Sequence, residues 1–144
     1  TVLPYYSGER APWWTDHLTA SIHGLTAGTS GEEIALAHLE AIAVHTSWIA
    51  AKLGVGPKTI LAASGNALQQ SPLLAQCIAD ACGCTVEQQE TGEQSLIGAA
   101  RWAMHTINNC ELTNSNINIK EVHTFSSDGN QRMQSIAMKM NTLL

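Results

Sequence analysis

Two short stretches carry residue types that could do chemistry. In Ser7-Gly8-Glu9-Arg10, a carboxylate and a guanidinium stand side by side, followed at once by Pro12-Trp13-Trp14. Paired opposite charges beside tandem indoles suit a loop that either packs on its own fold or contacts a ligand, and the residues alone leave both open. In Ala62-Ala63-Ser64-Gly65-Asn66-Ala67-Leu68, an apolar run ends in a turn of small residues. Such a turn lets a flat ligand approach the backbone, although a plain turn would read the same way.

Other constellations fail on mechanism. Gly54-Val55-Gly56-Pro57-Lys58-Thr59 has a superficial likeness to the end of a Walker A loop, but Pro57 separates Gly from Lys and the segment precedes a strand when it should precede a helix. No G-x-S-x-G, H-E-x-x-H or G-x-G-x-x-G occurs. His38 and His45 fall on one helix face without a third ligand, and are expected to be partly buried neutral rings hydrogen-bonded to neighbours. Cys82-Gly83-Cys84 lacks the basic neighbours that activate a thiol, so Cys77, Cys82, Cys84 and Cys110 are expected to be reduced and packed as small apolar groups.

The elements that must position these residues follow from capping and periodicity. Residues 1–14 suit an ordered loop more than a strand or helix, and residues 20–25 a short strand or loop edge. Ser30-Gly31-Glu32-Glu33 fits a capping box and opens a helix that runs to about Leu53, apolar on more than one side, with Ile34, Ala37, Ala41, Ile42, Trp48 and Ile49 on its broad face. Gly54 and Gly56-Pro57 stop it. Residues 59–63 read as a buried strand, followed by a turn at Gly65-Asn66. Ser71-Pro72 opens a second helix with Leu73, Leu74, Cys77, Ile78 and Ala81 on its apolar face, and Gly83 ends it. Thr85-Val86 starts another short strand. Helices are expected at 93–107 and 131–144, separated by an Asn-rich surface loop at 108–118. Helices alternating with strands predict an α/β layered domain.

At 144 residues, with 44% hydrophobic and 13% charged side chains and a net charge of -5, the chain has material for one globular domain. Its seven Lys and Arg residues are scattered, which excludes a basic stripe for nucleic acid. No uninterrupted apolar run approaches the roughly 20 residues that span a bilayer, and no secretory pattern opens the chain, so the expected location is cytoplasmic with no membrane partner.

At the two candidate stretches the sequence resembles the C-terminal domain of the FGGY family of carbohydrate kinases. Residues 3–14, from Leu3-Pro4-Tyr5-Tyr6 through Ser7-Gly8-Glu9-Arg10 to Trp14, are similar to the family's "PY.SGER.P" segment. Ser64-Gly65-Asn66-Ala67, with Ser71-Pro72 and Gln76-Cys77-Ile78-Ala79-Asp80 behind it, is similar to its adenosine-binding segment. Glu93-Gln94-Ser95 and Gly98-Ala99-Ala100 match the "E.S.LGAA" that follows, and residues 125–128 resemble its ending. Asn66 stands where a second Gly is usual, and Leu74 replaces a common aromatic.

The resemblance implies a partial actin-like, ribonuclease-H-like ATPase domain over 1–144, with helices packed on a short sheet. It implies a kinase that moves the γ-phosphate of ATP, with Mg²⁺, to a hydroxyl of a gluconate- or xylulose-like sugar. Gly65, Asn66, Ala67 and Leu68 would face adenine with Ser71 close by, and Glu9 and Arg10 would lie near the cleft as an orienting ion pair. The general base, the phosphate loop and most of the sugar site would belong to an N-terminal domain whose motifs do not occur here. The alternative is a non-catalytic remnant or an interaction module, pairing with a separate N-terminal chain or with itself.

Overall fold

The computed structural model describes residues 1–90, 93–108 and 118–144. Ten elements follow one another: β1 (Val2–Leu3), β2 (Ser21–Ile22), α1 (Gly31–Lys52), β3 (Ile60–Ala63), α2 (Asn66–Gln70), α3 (Pro72–Cys82), β4 (Thr85–Gln89), α4 (Gln94–Asn108), β5 (Ile119–His123) and α5 (Ser127–Asn141). The architecture is α/β, with helices packed on small sheets. β3 and β4 are parallel, β5 runs antiparallel to β4 on its other side, and β1 pairs with β2 in a separate antiparallel ribbon.

α1 is built as its sequence dictates. Ser30 accepts from the Glu33 amide while the Glu33 carboxylate accepts from the Ser30 amide, so two orphan donors are satisfied. Apolar residues surround this helix, which packs against α3, α5 and β1. Its 22 residues are long and apolar enough, by composition, to cross a membrane. Here Ala41, Ala43 and Val44 instead join Val2, Leu3, Tyr5, Cys77, Met133 and Met140 in the main core. The buried Glu40 carboxylate is held at 2.6 Å by Arg132 from α5. A smaller core of Ala75, Ala79 and Val86, with Leu61, Ala63 and Leu68 against it, joins α3 to the sheet.

Several expectations need correction. Val2–Leu3 is a strand, because the extended chain finds a partner in Ser21–Ile22. β3 is an edge strand and not a buried one: among the described residues only β4 pairs with it, and Ile60 is 59% exposed. The segment after Gly65 winds into the short helix α2 where a bare turn was expected. On α3 the buried positions are Leu74, Ala75, Cys77, Ala79 and Asp80, whereas Leu73 is exposed; Ile42 of α1 is exposed as well. β5 carries no sequence expectation, and α5 starts four residues before the predicted 131 because Ser126 caps it by accepting from the Gly129 amide. The predicted loop lies for the most part outside the described residues, as does Cys110. Along α4 the helical spacing is as expected, yet Leu96, Trp102, Met104 and Ile107 are exposed.

Candidate functional site

β3 delivers the chain to Gly65, whose φ of 115° and ψ of 155° lie in a region that L side chains rarely adopt. The positive φ falls on Gly65 and not on Asn66, which is free to start α2. A Cβ built on Gly65 meets no atom within 4 Å, so space beside this backbone is open. Asn66 and Ala67 are exposed; Leu68 is half-buried and leans on the smaller core. The Ser71 hydroxyl caps α3 by accepting from the Leu74 amide at 3.3 Å, with Pro72 in the first turn.

Hydrogen bonds to β4 and β5 hold this segment on the sheet. Gln88, fully buried in β4, donates through Nε2 to the Leu68 carbonyl at 2.8 Å, and its Oε1 faces His123 Nε2 at 3.3 Å. Gln69 Nε2 donates to the Gln89 carbonyl. Lys120 of β5 reaches the Gln69 carbonyl at 3.4 Å. The sequence reading missed these supports; for Gln88 the signal was the polar run Glu87-Gln88-Gln89 inside a strand, where every second side chain faces the core.

Gln76 and Asp80, the other polar members of the motif, fasten the fold. Gln76 Nε2 donates to the Thr124 carbonyl at 2.9 Å, and Asp80 Oδ1 accepts from the Ser126 amide at 2.8 Å. Both therefore tie α3 to the turn that leads into α5.

The second candidate stretch lies against α1. Glu9 turns inward, where Oε2 accepts from the Trp13 and Trp14 amides at 3.1 and 2.9 Å. Its Oε1 is buried without a hydrogen-bond partner among the described residues, 3.4 Å from His45 Nε2. His45 Nε2 also contacts the Ala11 carbonyl, and its Nδ1 lies 3.3 Å from the Tyr5 hydroxyl. Burial and the Glu9 charge push the Tyr5 hydroxyl up to about 12. Trp13 packs edge-on against Trp48 and His45, so one indole is structural while Trp14 stays exposed at a φ of 56°. Arg10 is exposed while Glu9 is buried, and among the described residues it makes no ion pair, so the expected Glu9–Arg10 pair does not form: adjacent residues of an extended loop project to opposite sides, and the Trp amides already hold Glu9 Oε2.

Tyr5, Tyr6, Glu9, Arg10, His38 and His45 line a cleft of about 320 Å³. Gly65, Asn66, Ala67, Leu68 and Ser71 do not line it, so the structure keeps the two candidate groups in separate places. Among the described residues no three His, Cys, Asp or Glu side chains gather to hold a metal ion. Glu9 Oε2 and Asp80 Oδ1 already accept from backbone amides. The carboxylates among the described residues therefore do not by themselves make a Mg²⁺ site.

Comparison with known proteins gives a consistent picture. The model of the C-terminal domain of the FGGY family of carbohydrate kinases matches residues 1–107. The glycerol kinase of Aromatoleum aromaticum is 36% identical over 102 residues, which is 69% of this chain and 20% of that protein. The glycerol kinase of Halorhodospira halophila is 34% identical over 102 residues, with the same coverage of each. Among solved structures, ligand-bound xylulose kinase from Lactobacillus acidophilus superposes with a TM-score of 0.76 at 21% identity, covering 99% of this chain and 31% of that one. Plasmodium falciparum glycerol kinase with ADP gives 0.74 at 23% identity, covering 98% and 30%. The chain thus spans about a fifth of the length of these curated relatives. At such identities the structural likeness speaks for the fold alone, a part of the actin-like ATPase architecture that makes up about 30% of each of those chains.

Proposed function

Because the chain belongs to the FGGY family of carbohydrate kinases, we propose that it supplies the adenosine-binding side of an enzyme that phosphorylates a sugar or sugar acid with ATP. Gly65, Asn66, Ala67 and Leu68 face the adenine in this reading, with Ser71 beside them. One observation carries it: a positive-φ glycine with open space beside it, at the junction of β3 and α2, held from beneath by side chains of β4 and β5. A flat base can lie on such backbone because no side chain stands in its way. Phosphoryl transfer rests on positioning and on stabilising charge, and this chain's own share is to bind and orient the nucleoside. Mg²⁺ would enter on the nucleotide phosphates, where it neutralises their charge. The substrate is gluconate- or xylulose-like in this proposal. Glu9 and Arg10 are its cleft candidates, with Arg10 the outward-facing member.

Replacing Gly65 by Val places a branched side chain in the open space and forbids the present φ. Calorimetric titration with ADP is expected to show at least a tenfold loss of affinity, with the far-ultraviolet circular dichroism unchanged. Affinity equal to that of the parent chain would remove the assignment.

A second reading, a non-catalytic module that pairs with a separate N-terminal half, is favoured by the outer edge of β3, a row of backbone donors and acceptors that no strand among the described residues pairs with. Sugar-dependent ATP turnover by the isolated chain would defeat it.

A further inference from the structure

The Leu68 carbonyl accepts twice: from the Ser71 amide at 3.3 Å, which closes the end of α2, and from Gln88 Nε2 at 2.8 Å. The second donor is unusual in its setting. Gln88 has no exposed surface, and it sits in the central strand of the sheet. A buried amide has two ends to satisfy, and its orientation is fixed by whichever partner accepts only one of them. The Leu68 carbonyl can only accept, so it requires the NH₂ end. That leaves Oε1 for His123, itself buried in β5, whose Nε2 must then carry the proton. His123 Nε2 also lies 3.7 Å from the Glu121 carboxylate, the charged group that faces it. The chain of contacts runs from β5 through β4 to the backbone of α2.

We infer that Gln88 is a positioning residue for the 65–71 segment, with His123 fixing the orientation of its amide. This inference rests on the proposed nucleotide role of that segment. α2 is too short to hold its own shape, since a five-residue helix gains little from propagation. Its place relative to β3 is set by side chains from outside, and Gln88 is the fully buried one among them. Losing that donor leaves a buried carbonyl one partner short and a buried histidine without its acceptor, a defect confined to this corner of the fold.

Three variants separate positioning from general stability. Gln88→Leu removes both bonds, Gln88→Glu keeps the shape and the acceptor but cannot donate from that oxygen as a carboxylate, and His123→Gln keeps a donor for the Gln88 oxygen. Native-state amide exchange at Gln69 and Ser71 is the main measurement, with ADP affinity measured on the same samples. Positioning predicts about tenfold faster exchange at these two amides in Gln88→Leu and Gln88→Glu, against a much smaller change in His123→Gln, while amides of α1 and α5 keep their protection. ADP affinity falls in parallel in the first two. Uniform acceleration across all helices, or unchanged exchange at Gln69 and Ser71, would overturn the inference. If the α2 amides respond as expected but the parent chain itself binds no ADP, the positioning of the segment stands and the nucleotide reading is what fails.

Discussion

The carboxylate of Asp80 sits where α5 begins, accepting from the Ser126 amide and lying close enough to Gly129 that a Cβ there would stand 2.4 Å from it. A buried acid is tolerable when backbone donors and a helix N-terminus face it, and this one has both. Gly129→Ala should therefore cost about 2 kcal/mol, because the added methyl must displace either the carboxylate or the first turn of α5. Urea unfolding reads this directly, and a midpoint equal to the parent's would contradict it. The thiols give a pH signature. Burial, with the Glu40 and Asp80 carboxylates nearby, pushes Cys77 up to about 11, and burial beside Cys84 pushes Cys82 up to about 12. The folded chain then holds these protons more tightly than the unfolded one, so stability is full below the ordinary thiol value near 9.0 and falls as pH climbs toward 11. Alkylation at pH 8 should spare Cys77 and Cys82 until urea is added; rapid labelling of the native chain would show the thiols to be accessible after all.

α1 forms because its cap and its first-turn acids agree with its apolar interior, and it is the element most legible in the sequence. Ser30→Ala removes the acceptor for the Glu33 amide and should destabilise by about 1 kcal/mol, read as a lower urea midpoint; an unchanged midpoint would mean that water replaces the cap without loss. α3 was legible for the same reason, with Ser71 and Pro72 at one end and Gly83, left-handed at φ 61°, at the other. The strands were harder. Val2–Leu3 is two residues long, and its pairing with Ser21–Ile22 is a tertiary event with no local signature. β5 reads Ile-Lys-Glu-Val-His, too polar to suggest a strand until β4 lies beside it. At the candidate site the Gly65 turn and Ser71 could be read from residue types. The role of Gln88 could not, because nothing in a single sequence says which carbonyl a buried amide will meet. Glu9 and Arg10 were read as a pair from adjacency, whereas loop geometry sends one in and the other out.

At the scale of the molecule, the chain divides its apolar residues between a main core under α1, α3 and α5 and a smaller one between α3 and the sheet. The 65–71 segment lies over the smaller core, on polar supports from β4 and β5, while the Glu9–His45 cluster is built on the larger one. Because the two groups are separate, a nucleotide should perturb the 65–71 segment and leave the Glu9–His45 cluster quiet. The direct test is an amide chemical-shift titration of the labelled chain with ADP. Saturable shifts are expected at Gly65, Asn66, Ala67, Leu68 and Ser71, extending to Gln88 beneath them, with Tyr5, Glu9 and Arg10 unchanged. Shifts confined to the Tyr5–Arg10 cleft, or none up to millimolar ADP, would contradict this.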